Sequence, residues 1–216
     1  MMMLTRFFVA VAAMAIVVAT SNYLVSIPVD FQLGPLDLKE ILTWGAFTYP
    51  FAFLVTDLTN RHFGPKSARI VVLVGFSLAV YLSIKLAYPR VAVASGTAFL
   101  VAQLLDISIF DRLRGGAWWR APLISSSIAS AIDTAIFFSL AFAPAFVGID
   151  HFFAQSDTSL GFGVPLLSMG PEVPLYVSLG FGDLIVKGLM VFALLAPYSF
   201  LRQFISDRQV AKSVVA

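Results

Sequence analysis

Four aspartates, Asp57, Asp106, Asp133 and Asp183, fall within or beside stretches apolar enough to sit in a membrane. A carboxylate at the centre of such a helix costs roughly 2.5–3.5 kcal/mol on insertion scales, so each acid needs a reason to be there. Gln103 and Asp106 are three residues apart and share a helical face. Ser130, Asp133 and Thr134 form a similar face, Asp183 and Lys187 stand at i,i+4, and Asn22 adds an amide. No cation lies within a helical turn of Asp133, so it reads as a ligand-binding or coupling residue. Proton coupling requires a carboxylate that is at times protonated, and Asp133 is the candidate for that role. Asp57 and Arg61 read as a structural or gating pair near the membrane boundary, and Asp183 with Lys187 reads equally well as mutual neutralisation. Acids and amides recurring on single faces of several helices suggest a polar cavity inside a bundle, a pattern that suits a transporter.

Other chemistries fare worse. The chain has no cysteine, which excludes disulfides, thiolate catalysis and Cys-ligated metals. Its two histidines, His62 and His151, lie in different connections, and no H-E-x-x-H or other metal spacing is present. There is no G-x-S-x-G and no Walker A sequence. Neither a metal nor a cofactor is expected, the chain is not read as an enzyme, and an intramembrane enzyme is a distant alternative. A formal net charge of +2 is too small to suggest nucleic acid as a partner.

The elements that must position these residues follow from composition. Of 216 residues, 59% are hydrophobic and 12% charged, and the mean hydropathy is +0.91. Soluble domains average about 25% charged residues and expose too much surface to hide so apolar a chain. The expectation is an all-α integral membrane protein, one membrane domain over residues 1–216, built as a six-transmembrane-helix bundle. The spans are read at about 7–27, 41–59, 70–87, 91–110, 121–143 and 175–196, each near the ~20 residues that cross a bilayer. Arg6 and the small residues Ala19 and Ser21 also suit a signal peptide, but the apolar run continues through Tyr23-Leu24-Val25. Residues 28–40 read as a polar loop, Gly64-Pro65 as a turn, and Pro197 as the end of the sixth span. A long extracytoplasmic connection, about 144–174, carries Asp150, Asp157 and Glu172 but no Lys or Arg.

The cations set the orientation. Ten of the fourteen Lys and Arg residues lie in the N-terminus, the second–third and fourth–fifth connections and the C-terminal tail. By the positive-inside rule both termini are cytoplasmic. Trp118 and Trp119 read as interfacial anchors, and the serines Ser125, Ser126, Ser127 and Ser130 as close-packing residues.

Several fragments then become recognisable in order. They are Ser21-Asn22-Tyr23-Leu24-Val25, Thr43-Trp44-Gly45-Ala46-Phe47 and Phe53-Leu54-x-Thr56-Asp57-Leu58-Thr59, followed by Gln103-x-Leu105-Asp106 and Phe110-x-Arg112-Leu113-Arg114. Trp118-Trp119-x-Ala121-Pro122, Asp133-Thr134 with Phe137-Phe138, and Asp183-x-x-x-Lys187 complete the series. In this joint order the chain resembles the queuosine precursor transporter family, which is grouped with vitamin-uptake-type transporters. The resemblance implies a multi-pass protein of the bacterial inner membrane that imports 7-cyano-7-deazaguanine or its 7-aminomethyl counterpart for queuosine modification of tRNA. The alternative is a substrate-capturing subunit of a separate energy-coupling uptake complex. The implied partners are a small 7-deazaguanine base and the lipid bilayer, with homo-oligomerisation left open.

For such a base, a carboxylate accepts the two donors of a guanine-like edge, and a Lys, Asn or Gln donates to its carbonyl. The expected substrate-binding residues are Asn22, Trp44, Phe47, Gln103, Asp106, Asp133, Thr134, Asp183 and Lys187. Trp44, Phe47, Tyr49 or Phe138 would supply the stacking face.

Overall fold

The computed structural model describes residues 2–34, 36–153 and 161–213. Helix α1 (Met2–Leu24) leads through a short antiparallel pair, β1 (Gln32–Leu33) and β2 (Leu36–Asp37), to the single turn α2 (Gly45–Thr48). The helices α3 (Phe51–Leu86), α4 (Pro89–Leu113) and α5 (Arg120–Phe142) follow. A connection containing α6 (Gly148–Phe153) and the hairpin β3 (Gly163–Pro165) with β4 (Glu172–Pro174) then enters α7 (Leu175–Ser213). Among the described residues, five helical segments are long and apolar enough to cross a membrane, which makes this an all-α multi-pass membrane protein.

One of those segments is interrupted in the middle. At about 1.5 Å per residue the 36 residues of α3 would run about 54 Å, against a ~30 Å hydrocarbon core. The helix is broken at Gly64, whose φ of 80° and ψ of 172° lie where residues with a Cβ are strained, and Pro65 follows. Contacts on either side show that the chain reverses there. Before Gly64, Tyr49 meets Phe99 edge-on at 6.2 Å, Thr56 bonds Gln103 at 2.6 Å and Asn60 bonds the Ile107 carbonyl at 3.1 Å, so this half advances in step with α4. After Gly64, Gly75 lies against Phe99, while Phe76 and Val80 lie against Gly96, so this half runs counter to α4. Helix α1 runs alongside this second half: Phe7 meets Phe63 at 6.4 Å, Met14 touches Gly75 and Ser83 bonds Asn22 at 3.4 Å.

Apolar packing holds the row together. Met14, Val18, Val71, Val72, Phe99 and Ile107 are buried in one cluster between α1, α3 and α4. Helix α5 packs along α4, and α7 packs on α5 and returns to α2 and α3. A Cβ on Gly75 would come within 2.7 Å of Met14, so glycine sets the close approach of α1 to α3.

Two sequence expectations need correction. Pro197 does not end the last helix; α7 continues through it to Ser213. Proline removes one backbone donor, but in a membrane helix neighbouring helices tolerate the defect. Here Tyr198, 1% exposed, locks the following turn against Phe110 at 6.4 Å. The polar loop at 28–40 is not irregular throughout either. Pro28 bridges to Thr43, and the β1–β2 pair folds the segment back over this end of the bundle. Asp157 lies outside the described residues.

Candidate functional site

A cavity of about 450 Å³ opens between α1, α3, α4, α5 and α7, at the end bearing the connections after α1, α3 and α5. That volume falls in the ~300–1,000 Å³ range of small-molecule sites. Its polar wall is a three-residue ion cluster. Lys187 Nζ of α7 donates to Asp133 Oδ2 of α5 at 2.7 Å and pairs with Asp183 Oδ2 one turn away at 2.6 Å. Thr134 braces the cluster: its hydroxyl donates to Asp183 Oδ2 at 2.6 Å and accepts from Lys187 Nζ at 3.2 Å. The lysine ammonium thus spends its donors on two carboxylates and a hydroxyl, which is how a buried cation is tolerated. Within the described residues no hydrogen bond is made to Oδ1 of Asp133 or Asp183. Both acids line the cavity, and Asp183 is the more accessible, with its side chain 15% exposed against 8% for Asp133.

The rest of the lining is aromatic and weakly polar. Phe137, Phe138 and Phe142 of α5 and Tyr49 line it, with Phe137 and Phe138 edge-on at 5.0 Å. Asn22 and Ser83 sit at the α1–α3 side; Asn22 Nδ2 is already bonded to the Val18 carbonyl at 2.9 Å. A flat heterocycle fits this chemistry, since aromatic faces and carboxylate acceptors line the same cavity.

The structure brings Asn22, Asp133, Asp183 and Lys187 to one cavity and places Thr134 behind them. It separates the other expected residues. Trp44 is 46% exposed, and its ring meets Phe47 at 5.6 Å in the packing around α2, so neither lines the cavity. Gln103 and Asp106 share a face as expected, but that face is sealed against α3 and α5. Gln103 Oε1 accepts from Thr56 Oγ1 at 2.6 Å, and Asp106 accepts from Ser126 Oγ at 3.3 Å. The expected Asp57–Arg61 pair is not formed. Arg61 turns away, donating from Nε to Tyr198 Oη at 3.0 Å and from Nη1 to the Arg114 carbonyl at 2.6 Å. Asp57 instead accepts from Ser126 Oγ at 3.4 Å. Asp133, read from sequence as lacking a nearby cation, has one from a helix 54 residues away.

Sequence reasoning overlooked Ser83, Ser95 and Phe142 as cavity residues. Phe142 could have been found, since it follows Phe138 by one helical turn; Ser83 and Ser95 carry no pattern that marks them. It also overlooked the Arg90–Asp150 pair beside the cavity mouth. Both side chains are 4% exposed and 2.7 Å apart, and Arg90 further donates to the Leu140 and Ala143 carbonyls, capping the end of α5.

Residues 43–87 and 81–201 match the family described as "Putative vitamin uptake transporter". A protein of Haemophilus influenzae named a probable queuosine precursor transporter is 36% identical over 173 residues, covering 68% of this chain and 72% of that protein. The queuosine precursor transporter of Escherichia coli is 38% identical over 148 residues, covering 59% of this chain and 64% of that protein. A probable queuosine precursor transporter of Bacillus subtilis is 28% identical over 158 residues, covering 59% and 68%. No solved structure matches the chain.

Proposed function

Since this chain belongs to the vitamin uptake transporter family, we propose that it imports a queuosine precursor, a 7-deazaguanine base, across the bacterial inner membrane. The bundle crosses six times, α3 contributing two spans on either side of Gly64, as a single membrane domain. Both termini lie with Arg61, Arg112 and Arg114 on the cytoplasmic side, in keeping with the positive-inside rule. The 450 Å³ cavity then faces outward.

The observation that carries the reading is the Asp133–Lys187–Asp183 cluster lining one cavity together with Phe137, Phe138, Phe142 and Tyr49. The exocyclic amine and ring N–H of the base donate to the free Oδ1 atoms of Asp183 and Asp133, and Lys187 donates to its carbonyl by giving up its 3.2 Å contact with the Thr134 hydroxyl. Phe138 and its neighbours cover the ring faces, and Asn22 closes the α1 side. Thr134 holds the cluster in register without touching the base. Gln103, Asp106, Trp44 and Phe47 lie outside this contact set.

The test is equilibrium binding of a labelled 7-deazaguanine to the purified chain, in competition with adenine and guanine. Saturable binding displaced by other 7-deazaguanines, and lost in Asp183→Ala, is expected. Tight binding with no uptake by the chain alone would instead favour a capture subunit of a larger complex.

A further inference from the structure

Beneath the cavity, toward the end carrying Arg61 and Arg114, two carboxyl groups are buried together. Asp57 of α3 is 2% exposed and Asp106 of α4 is 0% exposed. Each accepts from the one Ser126 hydroxyl of α5, at 3.4 Å and 3.3 Å, so the two carboxyls flank a single shared donor. A single hydroxyl proton cannot serve both acids at once. Oδ1 of Asp57 and Oδ2 of Asp106 are buried and receive no hydrogen bond, and the buried hydroxyl of Ser125 is likewise unpartnered.

The groups facing this pair do not neutralise it. From α3 comes Arg61, whose Nε and Nη1 are taken by Tyr198 Oη and the Arg114 carbonyl, whose buried Nη2 is unpartnered, and which forms no ion pair with Asp57. From the end of α4 comes Arg114, which donates to the Asn60 carbonyl at 3.3 Å and pairs with Asp111. Helix α7 contributes Tyr198, and α5 contributes only hydroxyls. Two adjacent anions so placed would repel without compensation, whereas one proton between them removes one charge and supplies the missing donor.

We infer that Asp57 and Asp106 form the proton site that couples transport to the proton gradient. This inference rests on the transport reading. Asp57 borders a small pocket of about 20 Å³ lined by Ser126 of α5 and by Leu194, Leu195 and Tyr198 of α7. That is room for about one water. Movement of α7 away from α3 and α5 widens this pocket on the cytoplasmic side. Water then reaches the pair, and its proton leaves as the base leaves the cavity above. No proton crosses without the α7 movement, so one proton and one base travel together.

The test uses two readouts on the full chain in liposomes. Infrared difference spectra should show a protonated carboxyl band at neutral pH that disappears in both Asp57→Asn and Asp106→Asn; no such band would overturn the inference. Each pH unit of inward gradient supports about tenfold accumulation of labelled precursor by the wild type. Asp106→Asn should lose that accumulation while keeping precursor binding and exchange of internal for external precursor. Accumulation driven by sodium and indifferent to pH, or Asp106→Asn accumulating like the wild type, would overturn the inference. Absence of any precursor binding would overturn the transport reading instead, and the carboxyl band would remain.

Discussion

Lys187 on α7 sits 2.7 Å from Asp133 on α5, and this contact ties the last helix to the bundle at the level of the cavity. The lysine also serves Asp183, so one cation balances two acids whose side chains are only 8% and 15% exposed. Lys187→Met should therefore leave two buried carboxylates uncompensated and cost about 3–5 kcal/mol of stability. A large fall in the detergent melting temperature checks this. The triple variant Lys187→Met, Asp133→Asn, Asp183→Asn, which removes all three charges, should recover much of the loss while failing to bind.

Asp133→Asn and Gln103→Ala separate the cavity from the layer beneath it. Asp133→Asn removes an acceptor facing the base and should weaken binding by about 1–3 kcal/mol, roughly 5- to 150-fold. Gln103 is bonded to Thr56 away from the cavity, so Gln103→Ala should bind within a few-fold of wild type. Equal losses in the two variants would mean that the site extends into the α3–α4 interface.

Much of this arrangement was legible in the sequence, but in one dimension only. Apolar runs marked the helices, and Gly64-Pro65 marked the break inside what is otherwise an unbroken helical stretch. Helical spacing placed Gln103 and Asp106 on one face, yet it says nothing about what that face meets. A polar face seals against a neighbouring helix as readily as it lines a cavity, and here Thr56 and Ser126 decided the matter. The same limit hid the partner of Asp133, because Lys187 reaches it from another helix. Arg61 was assigned to Asp57 on i,i+4 spacing alone; Tyr198, far along the chain, provides the competing partner. Pro197 was read as a stop because proline breaks helices in water, where the freed carbonyl has water to bond. In a bundle, packing of Tyr198 on Phe110 carries the helix through.

Gly64 supplies a local test of the reversal. No neighbouring atom lies within 4 Å of a Cβ built there, so any penalty comes from the backbone conformation rather than from crowding. Gly64→Ala should cost about 1–3 kcal/mol, seen as a lower melting temperature and reduced membrane yield. Gly188→Ala, also in open space but with no positive φ, should be close to neutral.

Arg90 and Asp150 clasp the connection after α5 to the start of α4. Arg90→Ala should destabilise the protein by about 3–5 kcal/mol, since it strands Asp150 in a buried position. Arg90→Lys should not restore stability, because an ammonium cannot span the carboxylate and the two backbone carbonyls in the geometry a guanidinium fork provides. Thermal unfolding of the two variants side by side checks both statements.

The central claim is that the Asp133–Lys187–Asp183 cavity carries a 7-deazaguanine base through the membrane. Uptake of labelled 7-cyano-7-deazaguanine and 7-aminomethyl-7-deazaguanine into liposomes holding only this chain tests it most directly. Saturable uptake of at least one of them, reduced in step with the weakened binding in Asp133→Asn that still inserts and folds, is the predicted result. No uptake and no saturable binding of either base, by wild-type protein shown to be folded, would contradict the account.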